Sequence, residues 1–138
     1  MDVRFLTDGL HVAPQIALDD LAEAARRGYG AVISNRPDDE EPGQPSARAV
    51  QQAAQAAGLG FAHIPVRPGQ LGEGEIAAFR RALDDLPGPV LAFCRSGTRS
   101  AMLWAMSEAG RRPVEDILSR ARDAGYDLSP LRPRLDRG

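Results

Sequence analysis

The feature that most constrains this chain is a strand that must turn at once into a helix. Val90-Leu91-Ala92-Phe93 is an unbroken apolar run, and an apolar, helix-forming segment starts near Ser100. The run reads as a strand buried on both faces. Between the two lies Cys94-Arg95-Ser96-Gly97-Thr98-Arg99-Ser100, which opens with the only cysteine of the sequence. A turn this abrupt directs the backbone N–H groups of Arg95 to Arg99 over Cys94, at the positive end of the following helix dipole. Such a nest binds an anion, and the first anion it stabilises is the Cys94 thiolate, the nucleophilic form of cysteine. Gly97 supplies a backbone angle that a side chain disfavours and allows a ligand close to the main chain. Arg95 and Arg99 offer planar, permanently charged forks suited to the paired oxygens of sulfate-like or phosphate-like groups. Ser96, Thr98 and Ser100 add hydroxyls that can reach bound oxygens or the sulfur. A lone cysteine at a strand end is ordinarily a buried structural residue. Followed by two arginines, a glycine and three hydroxyls, Cys94 instead reads as a nucleophile, with Arg99 as its catalytic partner.

At 138 residues and 43% hydrophobic, the sequence contains enough apolar material for one sizeable core, and a single domain over 1–138 is expected. Seventeen basic and nineteen acidic residues leave a net charge of −2, which favours neither nucleic acid nor an anionic membrane as partner. Every cation is arginine. One cysteine excludes an internal disulfide and a CxxC redox pair, and with only His11 and His63 beside it a zinc site is not expected. Neither a metal nor a cofactor is called for. The start Met1-Asp2-Val3-Arg4 has no apolar leader, and no apolar run approaches the roughly 18 residues of a membrane span, so a cytoplasmic location is the default.

Taken in order, Val3–Leu6 and Leu10–Ala13 read as two strands around Thr7-Asp8-Gly9, a hairpin signal. Leu18–Arg27 has helical spacing and ends at Gly28; Ala31–Ser34 is a buried strand. Asn35–Pro45 is a polar loop stiffened by three prolines, on the strand end where parallel sheets bind ligands. Arg36 is placed to face the Cys94 pocket, whereas the acidic run Asp38-Asp39-Glu40-Glu41 reads as a solvated tip. Ser46 caps a helix to about Ala57. Phe61–Pro65 is a strand whose His63 reads as a packed, hydrogen-bonded residue. Val66–Gly74 forms a loop with Arg67, Gln70 and three glycines, a natural flap over the cysteine loop with Gln70 as an anion-binding candidate. A helix then runs to Leu86. Beyond the cysteine loop, Ala101–Ala109 packs Leu103, Trp104 and Met106 inward, Val114–Ala124 is a last helix, and the tail Tyr126–Gly138 crosses the surface with Leu128 and Leu131 docked. Strands alternating with helices give an α/β fold with a mainly parallel central sheet and helices on both faces.

Several segments resemble one family when taken together: Asn35-Arg36-Pro37-Asp38, Glu41-Pro42-Gly43-Gln44-Pro45-Ser46, Pro68-Gly69-Gln70, Phe93 to Ser100, and Gly125-Tyr126-Asp127-Leu128. They look like the beta-lactamase-hydrolase-like protein phosphatase-like domain family, whose members are also described as sulfur transferases. The resemblance spans about Asp2 to Leu135 and implies a dual-specificity-phosphatase-like fold. Family members also occur fused to metallo-hydrolase or sulfide-oxidising modules, and a stand-alone member is expected here.

The two family descriptions imply different chemistry. Four residues separate Cys94 from Arg99, one fewer than in cysteine phosphatases, and Phe93 stands where those enzymes usually carry His. The shorter loop is similar to that of rhodanese-type sulfurtransferases. A phosphatase also needs a carboxylic acid to protonate the leaving oxygen, and the loop Val66–Gly74 contains no Asp, leaving only Glu73. The expectation is therefore a sulfurtransferase. Cys94 takes the outer sulfur of thiosulfate or a small persulfide, Arg95 and Arg99 orient the donor, and a thiol or cyanide accepts the sulfur. The alternatives are a cysteine-dependent hydrolase of phosphotyrosine or small phosphoesters, and a non-catalytic anion-binding or persulfide-carrying module.

Overall fold

The structure is a computed structural model that describes residues 1–137. Its centre is a five-stranded sheet in the order β1-β2-β5-β3-β4. β1 (Arg4–Phe5) and β2 (Leu10–Ala13) form the antiparallel hairpin; β3 (Ala31–Ser34), β4 (Gly60–His63) and β5 (Val90–Phe93) run parallel to β2. The turn of the hairpin is fixed by Thr7, whose hydroxyl accepts the N–H groups of Gly9 and Leu10 at 3.2 and 3.0 Å.

The strand side chains alternate between two cores, as their period of two requires. Leu10, Val12, Ala31, Ile33, Val90 and Ala92 meet α3 (Glu73–Asp85), α4 (Thr98–Glu108), α5 (Val114–Asp123) and α6 (Arg132–Asp136). Ala13, Val32, Leu91 and Phe93 meet α1 (Asp20–Arg26) and α2 (Ala47–Ala56). β5 is thus the sheet's middle strand with both faces covered, which is why its four residues are all apolar. Trp104 is buried in the larger core, where truncation to alanine would cost about 3–5 kcal/mol.

Three elements differ from the sequence reading. The helix after the cysteine loop starts at Thr98, earlier than Ala101, because Gly97 adopts φ +92° and Ala101 N–H already bonds the Gly97 carbonyl. β4 ends at His63, but its backbone continues toward β3: Ile64 and Val66 donate to the carbonyls of Ser34 and Asn35. The tail is not a plain surface crossing. It forms a 3₁₀ turn (Ser129–Leu131) and α6, which bury Leu128, Leu131 and Leu135; Gly138 lies outside the described residues. Among the described residues, no helix is long and apolar enough to cross a membrane.

Candidate active site

The cysteine loop joins the carboxyl end of β5 to the N-terminus of α4. Cys94 is completely buried, and the Gly97 N–H points at its Sγ from 3.1 Å. The loop is held from both sides: Gln15 N–H donates to the Arg95 carbonyl at 3.2 Å, and the Tyr126 hydroxyl donates to the Ser96 carbonyl at 3.3 Å. Glycine at 97 is required for its positive φ, as the sequence suggests, but the close approach is not that of a ligand. A Cβ there would collide with the Tyr126 hydroxyl and lie 3.3 Å from the Ala13 carbonyl.

Arg99 lies in the first turn of the helix, 13% exposed in its side chain. Nη1 reaches Glu40 Oε2 and the Val66 carbonyl, both at 2.8 Å, and Nη2 reaches Glu40 Oε1 at 2.9 Å. The same carboxylate accepts from Arg36 Nε at 2.9 Å. Burial works against the charge on Arg99, but Glu40 and the neighbouring Cys94 outweigh it and hold its pKa above the ordinary value. Glu40 is held below its usual range, first by the Arg99 hydrogen bonds and then by Arg36, against the opposing effect of burial. Both groups are thus charged at neutral pH.

The acidic run is therefore a solvated tip only in part: Asp38, Asp39 and Glu41 are exposed, whereas Glu40 turns inward. Glu40 is only 15% exposed, between two guanidiniums, and Asp38 accepts the N–H of Ala47 in the first turn of α2 at 2.8 Å. Their sequence context misled because two buried arginines, Arg36 and Arg99, are far apart in the chain and meet only in the fold. Arg36 is 1% exposed: Nη1 donates to Gln15 Oε1 at 2.9 Å, and Nη2 stands 3.0 Å from Glu41 Oε1 without the alignment of a hydrogen bond.

The remaining candidates fall into distinct places. Ser96 and Thr98 pair their hydroxyls with each other at 3.0 Å on the exposed rim. Arg95 points outward, 67% exposed, 3.6 Å from Glu41. Ser100 does not offer its hydroxyl to the pocket: it is buried and donates to Asn35 Oδ1 at 2.8 Å, while Asn35 Nδ2 donates to the Ile64 carbonyl at 2.9 Å. That chain ties the first turn of α4 to the ends of β3 and β4. Gln70 and Arg67 line a neighbouring cleft of about 500 Å³ with His63, Pro37 and Glu75, whereas Val66 of the supposed flap accepts from Arg99. His63 bonds the Arg36 carbonyl at 2.9 Å. Glu73 lines another cavity beside Met106 and Arg134. Glu40, Gln15, Asn35 and Tyr126 were not singled out for the site; Asn35 and Tyr126 were visible only as members of recurrent motifs.

The site thus places a thiol at the end of a central parallel strand, an amide on its sulfur and an arginine in the first turn of the next helix. The family model "Beta-lactamase hydrolase-like protein, phosphatase-like domain" matches residues 2–111. The chain belongs to this family. A beta-lactamase hydrolase-like protein of Xylella fastidiosa is 39% identical over 130 residues, covering 93% of this chain and 30% of that protein. The chain thus spans about a third of the length of the curated relatives it matches. A candidate phosphatase from Neisseria meningitidis has a crystal structure that matches with TM-score 0.88 at 37% identity, over 99% of this chain and 98% of that one. The structure of Tk-PTP in its active form, 17% identical, matches with TM-score 0.74 over 98% and 92% of the two chains, which shows a shared fold.

Proposed function

We propose that this chain is a cysteine-dependent hydrolase of phosphate monoesters, phosphotyrosine or small phosphoesters. The observation that carries the reading is the Gly97 amide on Cys94 Sγ, in a loop whose last arginine presents two parallel N–H donors. Cys94 attacks phosphorus as a thiolate; the loop amides and Arg99 stabilise the oxyanion that develops. Phosphocysteine then yields to water. The family model and the phosphatase description of the Neisseria structure favour this over the sulfur transfer suggested by loop length.

Sulfur transfer stays as a second reading on one observation: four residues, not five, separate Cys94 from Arg99. A tighter ring of amides suits a persulfide sulfur. Intact-protein mass spectrometry separates the two. Wild type and Cys94→Ser are incubated with p-nitrophenyl phosphate or with thiosulfate. Cys94-dependent phosphate release with no gain of sulfur is expected. A Cys94-dependent gain of one sulfur, removed by cyanide, without phosphate release would replace the hydrolase with the transferase.

A further inference from the structure

The seat that a substrate's oxyanion needs is already occupied. Both Nη atoms of Arg99 are engaged by the two oxygens of Glu40, the parallel geometry that a guanidinium also gives to phosphate or sulfate. The Cys94 sulfur is fully buried, so a substrate reaches it only after a neighbour gives way. Arg36 is placed differently. It is deeper, shares Glu40 Oε1 through Nε, and keeps one nitrogen, Nη2, without an aligned acceptor. An anion that takes Arg99 therefore leaves Glu40 with a second cation to hold it. Glu40 also follows Asp39, the one non-glycine among the described residues with positive φ, at 64°. The loop is pinned on both sides, by Asp38 to Ala47 N–H and by Gln44 to the Pro37 carbonyl.

We propose that Glu40 is a displaceable carboxylate: it fills the Arg99 fork in the free protein, yields it to the substrate's dianionic group and, still tethered to Arg36, protonates the leaving oxygen. This deepens the hydrolase reading and rests on it. On displacement Glu40 leaves the Arg99 fork and comes to stand beside a dianion, which raises its affinity for a proton drawn from solvent. Its other charged neighbours act in known senses. Arg36 opposes protonation; Glu41, near Arg36, and the Cys94 thiolate favour it; Arg95 is engaged with Glu41. In the chemical step the sulfur–phosphorus bond forms as the phosphorus–oxygen bond breaks. The Glu40 proton passes to the departing oxygen, which leaves as a neutral hydroxyl compound. Glu40 thereby supplies the carboxylic acid for which the loop Val66–Gly74 offers only Glu73, which lines another cavity. A phosphodiester, a monoanion, competes poorly with Glu40 for the fork, so the exchange also selects monoesters.

The test measures sulfate binding calorimetrically and the hydrolysis of phenyl and p-nitrophenyl phosphate, for wild type, Glu40→Gln and Arg99→Lys. Glu40→Gln is expected to bind sulfate about tenfold tighter, yet to hydrolyse phenyl phosphate about a hundredfold more slowly, with a smaller loss on p-nitrophenyl phosphate. A structural role alone would weaken both binding and turnover. Arg99-dependent sulfate binding that Glu40→Gln leaves unchanged or weaker overturns the exchange while the hydrolase reading stands. Absence of phosphate release from every protein overturns the hydrolase reading and proton delivery with it, whatever sulfate does. Should Glu40→Gln fail to fold, the wild type answers through the Glu40 carboxyl carbon followed by NMR. Saturating sulfate must raise its titration midpoint, and an unmoved midpoint overturns the proposal.

Discussion

Two glutamates of this molecule each sit between two arginines, and their surroundings differ. Glu108, at the end of α4, accepts from Arg80 at 2.8 Å and Arg112 at 3.1 Å. Arg80 also pairs with Asp84, Arg112 with Asp116, and Asp116 with Arg120. Three guanidiniums thus meet three carboxylates, and the set clamps α3, α4 and the start of α5. At Glu40 three guanidiniums, Arg36, Arg95 and Arg99, meet only Glu40 and Glu41; the further partners are the neutral Gln15 side chain and the Val66 carbonyl. Each cluster leaves one guanidinium nitrogen without an aligned acceptor, Nη2 of Arg36 and Nε of Arg80. The difference is charge balance beside a nucleophile. A network with a carboxylate for every cation holds helices together, whereas one whose spare cation faces only the Cys94 thiolate keeps an affinity for a further anion.

The largest effect that would break the contrast is on turnover. Arg99→Ala is expected to lower kcat/KM for p-nitrophenyl phosphate by about 10³-fold, the scale of removing an oxyanion donor, while Arg112→Ala leaves it within about twofold. Steady-state kinetics on both proteins check this, and comparable losses would show that the two clusters are equivalent. The second effect is on stability. Glu108→Gln is expected to cost about 1–2 kcal/mol in urea unfolding, because Arg80 and Arg112 lose their common carboxylate in a half-buried setting, and to leave sulfate binding unchanged. Weaker sulfate binding in that variant would mean that the Glu108 cluster feeds the site.

Gly97→Ala tests the frame in which the spare cation sits. The positive φ and the Tyr126 hydroxyl both oppose a methyl group there, so a loss of about 1–3 kcal/mol is expected. Pairing it with Tyr126→Phe in a double-mutant cycle separates the two causes. Coupling between the substitutions would assign part of the cost to the hydroxyl, and full additivity would assign it to the backbone alone.

The same contrast explains what could be read from the sequence. The strand β5, the helix after it and the Gly97 amide on Cys94 depend on neighbouring residues, and apolar runs, Gly97 and the Cys–Arg spacing carry that information locally. Ser46 as helix cap and the alternation of strands and helices are legible for the same reason, and with them the parallel sheet. Glu40 was missed because an isolated acidic run looks solvated; its burial depends on Arg99, 59 residues away along the chain. Ser100 was misread in the opposite sense, since its partner Asn35 lies 65 residues away. Gln70 shares the sheet edge with the cysteine loop but faces the next cleft, a matter of side-chain direction that composition does not encode. Loop length points toward sulfur transfer, but a count between Cys94 and Arg99 says nothing of the Glu40 carboxylate placed across from them.

The smallest effect separates the clusters most sharply, through salt. Glu40 has a folded pKa below its ordinary value of 4.5, so its contribution to stability is complete above about pH 4.5 and is lost as pH falls through the folded value. Asp116 is lowered in the same sense, first by Arg120 and then by Arg112, but at the exposed surface. Sodium chloride near 1 M, where the screening length is about 3 Å, should return Asp116 toward the usual carboxylate range and leave the sheltered Glu40 low. Sodium sulfate at equal ionic strength should move both: Asp116 by screening, Glu40 by exchange at Arg99. Carboxyl-carbon NMR titrations in the two salts read this directly. Glu40 responding equally to chloride and sulfate would reduce its pairing with Arg99 to a screened ion pair of the Asp116 kind, and the spare cation beside Cys94 would lose its meaning.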